Sequence, residues 1–91
     1  MKYRFKTVPS FRRSLRKLSS DQKKAAKTVF AIFKQNPFDQ RLRTRKIHHL
    51  SAEYKATVYS VRVLGDLRAV FYIDGDTVWS VDIGTHSIYH S

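Results

Sequence analysis

Ninety-one residues carry a formal net charge of +11, from 18 Lys and Arg against 7 Asp and Glu. That length allows one domain, spanning residues 1–91, with a thin core; 42% hydrophobic and 13% aromatic residues exclude a disordered chain. The absence of cysteine excludes disulfides, thiolate metal sites and a cysteine nucleophile.

The charge is uneven. Residues 1–50 hold 15 bases and 2 acids, whereas residues 51–91 hold 3 bases and 5 acids. A field of this sign favours polyanions, and phosphate contacts would make binding steeply salt-dependent. Nucleic acid is favoured over a membrane surface, and a solvated basic face alone does not require so large an excess. Met1 to Val8 is too short and too charged for a signal peptide. The longest apolar run, Ala69 to Ile73, falls far below the roughly 18 residues of a membrane span, so the expected compartment is cytoplasmic.

Tyr3 to Val8 alternates as a strand does. Pro9 suits a first helical turn, and Phe11, Leu15 and Leu18 then form an apolar stripe opposite Arg12, Arg13, Arg16 and Lys17. Ser19 followed by Gln22 has the form of a capping box. It opens a second helix with Ala26, Val29, Phe30 and Phe33 on one face, and Asn36-Pro37 stops it. Phe38 to Lys46 is a basic connector bearing Arg41, Arg43, Arg45 and Lys46. Beyond it the period becomes two. Val58–Val63, Leu67–Ile73 and Thr77–Ile83 read as strands broken by Gly65-Asp66 and Asp74-Gly75-Asp76. The order is β-α-α-β-β-β: an α+β domain with an N-terminal strand, an α-hairpin and an antiparallel β-meander, the helices packed on one face of the sheet.

Simple alternation assigns the other sheet face. It turns Tyr59, Val61, Val63, Leu67, Ala69, Phe71, Ile73, Trp79, Val81 and Ile83 toward the helices. Ser60, Arg62, Arg68, Val70, Tyr72, Val78, Ser80 and Asp82 then point away, with His86 just beyond the last strand. Two arginines, a tyrosine, an acid and a histidine suit RNA cleavage without a metal. Histidine can move the proton near neutral pH, arginine matches phosphate oxygens with a fork, and tyrosine offers a ring to a base. The structural alternatives are an ion cluster of Arg62, Arg68 and Asp82, and a His86 that only caps a strand end. The four histidines show no HxH or HExxH spacing, so no metal or other cofactor is expected.

The runs His48-His49-Leu50, Val58 to Val63, Gly65 to Phe71 and Asp82 to Tyr89, with Asn36-Pro37-Phe38 after the α-hairpin, resemble the RelE/ParE toxin superfamily over nearly the whole chain. The resemblance implies a toxin of a type II toxin–antitoxin system, an endoribonuclease acting on messenger RNA at the ribosome and held by an acidic or amphipathic helical antitoxin. It implies catalytic roles for Arg68, His86, His48 and Asp66, with Arg62 and Lys46 on the backbone and Tyr89 on the substrate base. Tyr72, Arg43 and Arg45 join the expected substrate-binding set from the residue reading. The sequence departs from the family pattern at Ser51-Ala52, where a glycine is common, and at Leu67, where an aromatic residue is. His48 is at the position of the family's functional histidine, the choice between it and His49 being left open by the sequence, and His86 with Asp66 and the histidine pair favours the ribonuclease branch. The alternatives are a ParE-like inhibitor of DNA gyrase without nuclease activity and a non-catalytic RNA-binding module.

Overall fold

The computed structural model describes residues 2–48, 51 and 56–85. Strand β1 (Arg4–Thr7) leads into helix α1 (Pro9–Arg16), with Pro9 in the first turn, where its missing N–H costs nothing. Helix α2 (Ser20–Gln35) begins at the expected capping box: Ser19 Oγ accepts from the Gln22 N–H at 3.2 Å, and Gln22 Oε1 accepts from the Ser19 N–H at 2.9 Å. It ends just before Asn36-Pro37.

The connector is more ordered than its composition indicates. It holds a 3-10 turn (Gln40–Leu42) and a two-residue strand, β2 (Arg45–Lys46). Strands β3 (Val58–Leu64), β4 (Leu67–Asp74) and β5 (Thr77–Gly84) follow as the expected meander. Gly65 and Gly75 take positive φ at the two hairpin turns, where a Cβ would be strained.

All five strands join one sheet in the order β1-β5-β4-β3-β2. β1 runs parallel to β5, and the other pairings are antiparallel. The chain therefore leaves the sheet at β1, folds its α-hairpin over one face, and returns so that the last strand lies beside the first. Against that face, Phe33 meets Phe71, Phe5 and Phe30 edge-on at centroid distances of 4.9, 5.4 and 5.7 Å. Val61, Ala69 and Leu67 complete this main core. Among the described residues no helix is long and apolar enough to cross a membrane.

One strand departs from simple alternation. The β4–β5 register pairs Phe71 with Ser80 but Val70 with Asp82, so β5 carries an extra residue at Val81. This bulge reverses the faces of the first half of β5. Val78 joins the helix-side core, whereas Trp79 and Val81 pack on the opposite face with Val58, Val70 and Ile47. Expectations for Val78, Trp79, Ser80 and Val81 are thereby inverted. Ile83, beyond the bulge, faces the helices as expected.

Candidate nucleic-acid interface

The sheet face away from the helices is built around two arginines. Arg62 on β3 and Arg68 on β4 are register partners, and their neighbours Val61, Val63, Leu67 and Ala69 all lie in the helix-side core. Both guanidiniums are thus rooted on the open face, their Cβ atoms about 5 Å apart as in any cross-strand pair. Arginine does not lose its charge in proteins, so like charges placed directly opposite destabilise the sheet unless an anion joins them.

No acid offsets the pair among the described residues, where the ion pairs are Arg4–Asp76 and Arg41–Asp39. Asp82 does not form the ion cluster with the arginines that stood as the structural alternative. Its Oδ1 accepts from Ser14 Oγ on α1 and from the Ile83 N–H, both at 2.8 Å. Arg68 is steadied by its own turn instead: Nη1 donates to the Gly65 carbonyl at 2.8 Å and to the Leu67 carbonyl at 3.4 Å. On its other side, β5 presents Gly84, which has no side chain to cover it. Two guanidiniums with no acid paired to either among the described residues have the charge and the planar fork that match phosphate oxygens.

No protein-family model and no curated protein matches the sequence. Solved structures do match. A chain of the archaeal RelE–RelB complex from Pyrococcus horikoshii OT3 superposes with a TM-score of 0.71 at 15% identity, over 93% of this chain and 96% of that one. A chain of the RelB–RelE antitoxin–toxin complex from Methanococcus jannaschii gives 0.69 at 21% identity, over 92% and 94%. One from the E. coli DinJ–YafQ complex gives 0.66 at 13% identity, over 99% and 100%. The chain has a RelE-like fold.

On this RelE-like frame the other expected residues fall into three groups. Arg45 is the register partner of Ser60 and belongs to the open face, two positions along the sheet from Arg62. Lys46 is opposite Tyr59, which packs against the helix-side core, so the edge strand gives Arg45 rather than Lys46 to the arginine face. Arg43 is exposed just before β2 and is the one non-glycine residue at positive φ among those described, at 51°. Tyr72 is half-buried on the open face opposite Trp79.

Asp66 is exposed in the β3–β4 turn, beside the carbonyls that hold Arg68, and His48 is exposed shortly after β2. His49, His86 and Tyr89 lie outside the described residues. Arg41 is engaged elsewhere. Its Nε and Nη2 donate to the two carboxylate oxygens of Asp39, each at 3.0 Å. The side-chain hydrogen bond from Arg41, then the one from its backbone N–H, lowers the Asp39 pKa from 3.8 to about 2. Because the folded value is the lower one, this contact is in place above about pH 4 and is lost as the pH falls through about 2.

Trp79 is the residue that alternation missed. A signal for it was present: Val78 and Ile83 are both strong core formers but have opposite parity, so both can face inward only if the strand slips by one residue between them.

Proposed function

We propose that the chain is the toxin of a type II toxin–antitoxin system and an endoribonuclease that cleaves messenger RNA at the ribosome without a metal ion. The observation that carries this reading is the Arg62–Arg68 pair, two opposed cations on the sheet face away from the helices with no acid paired to either among the described residues. The RelE-like fold supports it, since the similar chains include members of complexes described as toxin–antitoxin. By the same analogy the partner is a cognate antitoxin with an acidic or amphipathic helical segment, suited to a chain of charge +11.

In the proposed reaction the RNA 2′-oxygen attacks the adjacent phosphorus. The new 2′-O–P bond forms, the P–O5′ bond breaks, and the 2′-hydroxyl proton passes to a base while an acid protonates the departing 5′-oxygen. Arg68 stabilises the charge that gathers on the phosphate, and Arg62 holds the backbone. His86 exchanges the proton, with His48 and Asp66 as the further catalytic groups. Arg43 and Arg45 contact flanking phosphates, while Tyr72 and Tyr89 hold bases.

The test is the chemistry of the cut ends. Messenger RNA cut by the purified chain on ribosomes should carry 2′,3′-cyclic phosphate and 5′-hydroxyl termini. Products ending in 3′-hydroxyl and 5′-phosphate would contradict this reading.

A further inference from the structure

The open face carries an aromatic site beside its arginines. The bulge at Val81 turns Trp79 out of the helix-side core, and the indole is half-buried against Val58, Val70 and Val81. Lys6 on β1 is its register partner on one side, with Nζ over the ring at 5.6 Å from the centroid, so that a stacking base would displace the ammonium toward its own phosphate, and Tyr72 on β4 is its partner on the other. Lys6, Trp79 and Tyr72 therefore form one row across three adjacent strands.

We propose that Trp79, flanked by Lys6, is a stacking subsite for a nucleobase of single-stranded RNA, separate from the phosphate position at Arg62 and Arg68. This inference rests on the RNA-cleaving reading above and extends its substrate contacts to residues that reading does not use. An indole face binds any base by stacking, and a neighbouring ammonium suits the phosphate attached to a stacked base.

Two further observations favour RNA over an apolar protein segment as the occupant. The first is spacing: Tyr72 lies four residues from Arg68 along β4, which is about 13 Å of strand, a span a few nucleotides cover. The second is charge along that path. Arg45, Arg62 and Arg68 share the face with Lys6. The acid whose position falls between Arg68 and Tyr72, Asp82, is turned to Ser14. Asp74 comes only at the far end of β4, beyond Tyr72. The half-buried rings of Tyr72 and Trp79 border the buried Val58 and Val70, and between the arginine pair and the tryptophan there is no unpaired carboxylate among the described residues.

Trp79 is the only tryptophan in the chain, so its emission reports on this position alone. The probe is a single-stranded hexamer made of 2′-O-methyl nucleotides, which binds without being cut. Its binding to wild type, read by anisotropy of an end-labelled strand, should quench Trp79 emission with the same midpoint. Trp79→Leu keeps apolar cover over Val58 and Val70 but removes the π face, and should weaken hexamer binding by about five- to a hundredfold. Trp79→Phe keeps a ring and should retain most of the affinity, which guards against a loss caused by misfolding. Equal hexamer affinity in wild type and Trp79→Leu, with unchanged emission on binding, would overturn the stacking subsite and leave the nuclease reading standing. A wild-type chain that binds no hexamer, alone or with ribosomes present, would overturn both.

Discussion

Arg68→Ala should lower the single-turnover rate of RNA cleavage by about 100-fold or more, with a much smaller loss of RNA binding. The reason lies in when the charge appears. Negative charge on the phosphate grows as the 2′-oxygen attacks, so a guanidinium fixed in advance acts mostly on the transition state. Arg68 is fixed in that way by the Gly65 and Leu67 carbonyls. Arg68→Lys keeps the charge but loses the planar fork, and should rescue the rate only in part. Stability separates this role from a structural one. Removing Arg68 relieves a like-charge pair with Arg62, so the melting temperature should hold or rise slightly. A rate and a melting temperature that fall together would mean that Arg68 merely supports the hairpin.

His86→Gln should reduce the same rate by about 100- to 10,000-fold, the range for a positioned acid–base group. Glutamine is similar in size and hydrogen-bonds, but it does not titrate near neutrality. The pH–rate profile should therefore flatten around neutral pH, and RNA affinity should change little. His86 lies outside the described residues, so this expectation rests on its place after β5 and on the resemblance of that stretch to the toxin superfamily. A His86→Gln protein that cleaves at the wild-type rate would remove His86 from the chemistry.

Local chemistry was legible in the sequence, and long-range pairing was less so. The Ser19–Gln22 capping box and the Asn36-Pro37 stop set the ends of α2 through atoms a few residues apart, and both stand in the structure. The glycines at 65 and 75 marked the hairpins because positive φ is a property of the residue itself. Alternation also put Arg62 and Arg68 on one face, since β3 and β4 are regular up to that pair. It failed from Val78 to Val81, where one extra residue in β5 shifts every face on one side of it. The parallel β1–β5 pairing and the two-residue β2 depend on partners distant in sequence, which a local period does not encode. Assigning Arg45 rather than Lys46 to the open face needed that same long-range register.

The most direct test of the RNA-cleaving reading is to induce the wild-type chain in cells and map transcript ends by primer extension, with Arg68→Ala as the control. Growth arrest should come with loss of full-length messenger and discrete cuts inside translated regions, and the Arg68→Ala chain should produce neither. Arrest with intact transcripts, accompanied by DNA breaks or a DNA-damage response, would contradict the nuclease account and assign the chain to gyrase inhibition instead.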